Sequence, residues 1–343
     1  EPCEELAKRY ASLLTRLSLR RPAEMDHLIA TYPDCGWLKA AKGEMALVDG
    51  DWKTGFALTK YRWSVNVLPS KRSEFTAKDW NGETDGTLLV IGEQGLGEEI
   101  LFSSCFKDLR PAVIGCDYRL ISLFTRSFPQ HTFTPKQALR YFDHPGAYVI
   151  EAMNLMTLRT EFANREPWLA AHPEAVATQR AILAQSFPGK TTVGLSWASG
   201  RAKLGEAKSI PICDLFTFMR DERLACFTLQ YGHPDHDYAE ITRENLDFHQ
   251  IEGLDLTENI DGLAVLIASL DVVVTCSNTT AHLAGALGKR TILMAPGGRF
   301  VLWYWGRDGD RTPWYPSVEI HRGPPKVSWG DLAETVKKSI LTT

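Results

Sequence analysis

The 343-residue sequence has no Cys-x-x-Cys pair, no apolar run near the roughly 18 residues of a membrane span, and no strong excess of either charge. Its seven cysteines are scattered at 3, 35, 105, 116, 213, 226 and 276. An odd, scattered set argues against a disulfide framework or a zinc cluster. Several lie inside apolar runs such as LACFTLQY and VVVTCS, so they read as buried thiols of a reducing, cytoplasmic setting. The formal charge of −4 offers no global attraction to nucleic acid or an anionic membrane. The opening EPCEELAKRY is charged and lacks the apolar core of a secretion signal. One further absence is local: no Asp or Glu lies between Asp271 and Arg299.

What is present suffices for two or three domains with real cores, at 44% hydrophobic and 23% charged residues. Residues 1–70 read as helical. CEELAKRYASLLTRL carries a helical apolar stripe, RPAEMDHLIATY opens with Pro22 near a helix start, and two helical patterns follow, broken at Asp49-Gly50-Asp51. Ala41, Gly43, Ala46 and Gly55 let that pair pack closely. The order of Trp37, Gly43, Gly50 and Pro69 resembles the tetratricopeptide consensus loosely; a plain helical cap on the next domain is the equal alternative. A polar, turn-rich linker runs to about residue 86.

Short apolar runs then alternate with helical patterns. TLLVIG, PAVIGCDY, HTFTP and AYVIEA form one set, within 87–188, ending in a polar, Pro-containing span over about 160–190. TTVGLSWA, LACFTLQY, LDFHQIEG, DVVVTCS, RTILMAP and SVEIHR form a second set, within 189–325. Strands alternating with helices imply parallel sheets covered on both faces. The fold class is therefore α/β, with two Rossmann-like domains facing a cleft. The last segment, 326–343, holds a helix (WGDLAETVKKSIL) expected to pack back on the first domain.

Two loops carry the chemistry. DVVVTCSNTTAHLAGALGKRTILMAP is a buried strand, a polar turn, a helix ended by Gly288, and another strand. Thr279, Thr280 and His282 thus sit at a helix N-terminus at the C-terminal edge of a sheet, where ligands bind in open α/β folds. The free N–H groups and helix dipole there favour an anion. A satisfied core histidine is the equal alternative for His282. TVGLSW runs into a basic loop whose Arg201, Lys203 and Lys208 can reach a diphosphate and whose Ser199 and Ser209 can donate hydrogen bonds. Gln230 ends another strand beside backbone that can bond a base. Trp197, Trp303, Trp305, Trp314 and Tyr315 are candidates for stacking, each more often core than site. The other loop, LVIGEQGLGEEILF, is glycine-rich yet holds Glu93, Glu98 and Glu99, so it repels phosphate. Glu99 is expected on a solvated face.

The blocks EQGLGEEILF, VGLSWASG…KSIPI, LQYG, LIASLDVVVTCSNTTAHLAGALGKRTILMAP and WYWGRDGDRTPWYPSVEIHR, in this order, resemble bacterial GT-B glycosyltransferases with N-terminal tetratricopeptide helices. The catalytic region is similar to the heptosyltransferases and more distantly to O-GlcNAc transferases. The resemblance implies sugar transfer from a nucleotide-sugar co-substrate held mainly by the second domain, with no metal and no further cofactor. Its donor residues would be Trp197, Ser199, Lys203, Lys208, Ser209, Gln230, Ser277, Asn278, Thr279, Thr280, His282 and Leu283. The acceptor-side loop would be Gln94, Gly95, Leu96 and Gly97, with Glu98 in the place of the family's proposed base, an aspartate. Ser277 stands where the family often has Asp. The mechanism implied is inverting, Glu98 taking a proton from an acceptor hydroxyl. The helical N-terminus hints at a protein acceptor of flagellin type, beside a surface glycan or lipid. A degenerate adaptor that binds a nucleotide sugar or a partner protein without transfer, and another GT-B chemistry such as epimerisation, stay open.

Overall fold

The computed structural model describes residues 21–64, 71–163, 166–200, 208–232, 235–295, 302–323 and 328–342, together with Glu5, Arg9, Tyr10, Ser12 and Gly205. Most of the stripe expected over residues 3–17, and Pro69, lie outside the described residues. Helices α1 (Pro22–Thr31), α2 (Gly36–Val48) and α3 (Trp52–Leu58) come first, and α3 runs into a 3-10 turn over Thr59–Ser64. The expected break falls between α2 and α3. Gly50 takes φ +83°, in the left-handed region, and the Asp51 carboxylate caps α3 by accepting the Thr54 N–H at 3.1 Å. The small residues do let the two helices close: a Cβ on Gly55 would lie 2.5 Å from Leu47 Cδ2.

The first sheet holds β1 (Lys78–Asp79), β2 (Thr87–Ile91), β3 (Val113–Cys116), β4 (Thr132–Pro135) and β5 (Ala147–Glu151), all parallel, in the order β1-β5-β2-β3-β4. Helices α4 (Leu96–Phe102) and α5 (Ile121–Ser127) follow β2 and β3. Two expectations need correction here. The linker to residue 86 is not wholly irregular, since Lys78–Asp79 adds the edge strand beside β5. The span over 160–190 contains α6 (Pro173–Ser186), which buries only Leu183 and so lacks the apolar stripe that marks a helix in sequence.

The second sheet holds β6 (Thr191–Ser196), β7 (Leu224–Thr228), β8 (Phe248–His249), β9 (Val272–Thr275), β10 (Thr291–Ala295) and β11 (Val318–Arg322). These are also parallel, in the order β11-β10-β9-β6-β7-β8. Its helices are α7 (Phe216–Met219), α8 (Asp235–Arg243), α9 (Ile260–Ser269), α10 (Thr279–Ala286) and α11 (Trp329–Leu341). The strand order reverses between β6 and β9, and in the first sheet between β2 and β5. Such switch points are where loops diverge and leave a crevice. The last helix does not return to the first domain. Leu332, Ala333, Val336 and Ile340 of α11 share a core with Val193, Trp197, Leu215 and Val274 of the second. Its apolar face matches the bare side of its own sheet.

The two domains and the helical hairpin are continuous. Leu47 and Phe56 of the hairpin, Val90 and Ile100 of the first domain, and Ala284 and Trp314 of the second lie in one buried cluster. Phe56 stacks on Phe162 at 5.4 Å between ring centroids and meets Trp303 edge-on at 5.6 Å, while Trp52 meets Trp314 edge-on at 5.1 Å. The hairpin therefore touches both domains behind the cleft.

Candidate active site

Each domain contributes one strand–turn–helix unit, and the two units meet. On the first side β2 ends at Ile91 and the chain turns through Gly92, Glu93 and Gln94. Gln94 has φ +63°, unusual for a side-chain-bearing residue, and its amide donates to Met153 Sδ at 3.1 Å. Gly95 is the N-cap of α4, and Leu96 packs half-buried on the shared core. On the second side β9 leads through Cys276, Ser277 and Asn278 into α10. The helices touch at Gly97: a Cβ there would lie 2.7 Å from His282 Cδ2. Glycine is what allows this approach.

The acidic side chains of the first loop are all buried, at 5% exposure for Glu93, 8% for Glu98 and 4% for Glu99. Glu99 is thus not on a solvated face, because α4 is covered by its own sheet and by the second domain. It pairs with Lys136 and accepts the Asp117 N–H at 2.8 Å. Burial raises its pKa to about 7, against the pull of Lys136. Glu93 is held by Arg62 and by the Met153 N–H at 3.0 Å, and burial still raises its pKa. Glu98 sits in the first turn of α4. Its charge reaches Tyr315, whose phenol is held well above its ordinary range by burial first, then by Tyr304 and Glu98.

The second wall is a network of neutral groups. Asn278 caps α10, its Oδ1 accepting the Ala281 N–H at 3.3 Å, while its Nδ2 donates to Ser196 Oγ at 2.8 Å and to the Ala198 carbonyl at 3.1 Å. Thr280 donates to Ser196 Oγ at 3.3 Å, and Thr279 stands half-exposed at the helix tip. Gln230 Oε1 accepts the N–H groups of Trp197 and Ala198 at 2.9 and 2.8 Å, tying the ends of β6 and β7 together. His282 Nδ1 is hydrogen-bonded to Tyr315 Oη at 2.6 Å, and its ring lies 5.0 Å from that of Trp305. The Trp305 indole N–H donates to Ser277 Oγ at 2.8 Å. Leu283 is fully buried in the shared core.

The basic side chains divide. Lys208 is buried and close enough to pull down the Cys276 thiol, which burial raises to about 12. Ser209 accepts the Ser199 N–H at 3.1 Å and donates to the Gly205 carbonyl at 2.8 Å, so these serines shape their own loop. Arg201 and Lys203 lie outside the described residues. Trp197 points away from the cleft, into the core, with its indole N–H on Asp237 at 2.7 Å. Trp314 is likewise fully buried. Beside Gln230, at the C-terminal ends of β7 and β8, a cavity of about 190 Å³ is lined by Gly232, Tyr238, Ile251, Leu254 and Thr257. Among the described residues no three His, Cys, Asp or Glu side chains gather as a metal site. No described helix is long and apolar enough to cross a membrane.

Sequence inspection missed Arg62, Lys136 and the Tyr315–His282 bond. Arg62 and Lys136 are the counter-ions an acidic glycine loop requires, but nothing in their spacing marks them.

Two parallel-sheet α/β domains facing each other through such units match the GT-B glycosyltransferase fold. The ADP-heptose lipopolysaccharide heptosyltransferase II of Escherichia coli superposes with a TM-score of 0.51 at 12% identity, covering 75% of this chain and 99% of that one. A glycosyl transferase of family 9 from Veillonella parvula gives 0.54 at 9% identity, covering 76% and 99%. At these identities the likeness is one of fold. In sequence, the chain is 28% identical over 313 residues to the protein FlbA of Caulobacter vibrioides, covering 83% of this chain. It spans about half the length of that relative, 52%. No protein-family model matches the chain.

Proposed function

We propose that this chain is a metal-independent, inverting glycosyltransferase that moves a sugar from a nucleoside-diphosphate donor to a hydroxyl acceptor. The observation that carries the proposal is the opposition of the two units: a buried carboxylate, Glu98, on the α4 tip, against an acid-free helix tip at Thr279–His282 backed by Lys208. In this reading the donor diphosphate lies on the second wall. The Thr279 and Thr280 N–H groups and the Lys208 ammonium stabilise negative charge as the anomeric C–O bond breaks. Glu98 takes the proton of the acceptor hydroxyl as its oxygen attacks from the opposite face. General-base help of this kind contributes roughly 10²–10⁴ in rate. The nucleoside enters the cavity beside Gln230, where Ile251 and Leu254 supply apolar surface and Gln250 and Thr257 supply polar side chains. The acceptor is a protein, glycan or lipid hydroxyl reached from the first domain.

A thermal-shift screen of ADP-, GDP- and UDP-sugars tests this, with ADP-heptose first because of the E. coli neighbour's name. A ligand at 100 times its Kd stabilises by about 2.7 kcal/mol. Stabilisation by one class, followed by release of its nucleoside diphosphate, is the expected result. Stabilisation with the donor left intact, whatever acceptor is added, would favour the adaptor. No shift with any nucleotide would sink the transferase and leave only an adaptor that binds a partner protein.

A further inference from the structure

The crevice between the C-terminal ends of β2 and β5 is where a parallel sheet of this order ordinarily receives a ligand. In the first domain a side chain of the chain itself fills it. Arg62, on the 3-10 turn after α3, reaches in with its guanidinium. Nε and Nη2 fork onto the two Glu93 oxygens at 2.8 and 2.7 Å. Nη2 also donates to Glu151 Oε2 at 3.0 Å, and Nη1 donates to Asn154 Oδ1 at 2.9 Å and to the Thr59 carbonyl at 2.8 Å. All five N–H groups are used. The Arg62 and Glu93 side chains are only 11% and 3% exposed. Glu93 is followed directly by the left-handed turn at Gln94, the Gly95 cap and the helix tip that carries Glu98. A non-glycine residue persists in that backbone region only when its surroundings hold it.

We propose that Arg62 is a positioning residue of the site. It holds Glu93, and through Glu93 the Gln94 turn and the tip of α4, so the helices that precede the sheets complete the acceptor wall. This rests on the reading of Glu98 as the base. Lysine can supply the charge but not the planar fork that spans Glu93, Glu151 and Asn154 together.

The test compares wild type, Arg62→Lys, Glu93→Gln and the double variant. Three readouts are taken: affinity for ADP, GDP and UDP, release of nucleoside diphosphate from the nucleotide sugar that the wild type accepts, and amide hydrogen exchange over residues 93–102. Nucleotide affinity should stay within about twofold, while kcat falls by about tenfold to 10²-fold, the scale of a small misplacement of a reacting group. Exchange should quicken over 93–102 and not over 279–286. The double variant should lose no more than the more affected single one, since both cut the Arg62–Glu93 link. Wild-type turnover and exchange in Arg62→Lys would overturn the proposal. So would a nucleotide affinity that falls in step with turnover, which marks a general staple of the fold. Where Arg62→Lys does not fold, Asn154→Ala removes one of the five bonds; unchanged exchange over 93–102 in that variant is equally fatal. If the wild type releases no nucleoside diphosphate, the transferase reading fails and the exchange data alone decide the role of Arg62.

Discussion

The β2–α4 and β9–α10 units are built alike and charged unlike. Both run from a buried parallel strand through a polar turn into a short helix, and both tips reach the same place, Gly97 against His282. The first unit buries three carboxylates and recruits Arg62 and Lys136 to make that tolerable. The second has no acid at all and satisfies itself with Asn278, Thr280 and Ser196. Backbone geometry brings the two tips to one place, and the side chains give the two walls opposite electrostatic character.

The sharpest way to break this division is at its acidic side. Glu98→Gln should lower transfer by roughly 10²–10⁴ and leave nucleotide affinity unchanged, as measured by nucleoside diphosphate release and calorimetry. Wild-type turnover in that variant would move the base elsewhere. A smaller effect concerns the neighbouring acid. Glu99 has a folded pKa of about 7 against an ordinary 4.5, so its contribution is fully present below pH 4.5. As pH rises toward 7 the unfolded chain releases a proton that the folded chain keeps. Stability then falls by an amount on the order of 3 kcal/mol and stays level above. Denaturant titrations of wild type and Glu99→Gln across this window should diverge accordingly; a constant difference would mean the carboxyl is ionised throughout. Gly97→Ala probes the contact itself. Alanine gains about 1 kcal/mol of helix propensity, and overlap with His282 costs roughly 1–3 kcal/mol. Because Tyr315 and Trp305 hold the imidazole, overlap should win and the melting temperature should fall; a rise would show that His282 yields. On the acid-free wall, Lys208→Met should weaken nucleoside diphosphate binding about tenfold, the worth of one charge-assisted hydrogen bond. Unchanged affinity would remove Lys208 from the donor site.

Ten of the eleven described strands were legible, the inner ones because both faces of each sheet are covered there, which leaves apolar runs such as LLVI and VVVT. The two-residue β1 has no run to show. Helix α6 was invisible because it is exposed almost all round. Glu99 was misjudged for the opposite reason: Gly97–Phe102 of α4 has no exposed face, so the rule that one side of a helix meets water did not apply. The glycine loop and the acid-free tip could be seen as separate pieces. That they touch, and that Arg62 lies 31 positions from Glu93 and 89 from Glu151, is tertiary information. An unexplained cluster of acids was the one hint that a cation had to arrive from elsewhere.

The aromatic contacts of Trp52 and Phe56 behind the cleft bear on how the molecule comes apart. Three segments can be drawn on the sequence, yet Phe56 and Trp314 belong to the same buried cluster as Val90. Removing any one segment strips apolar surface from the other two. The hairpin and both sheets are then one cooperative unit of melting: calorimetry should record one transition for them, and the hairpin should resist proteolysis for as long as the sheets do.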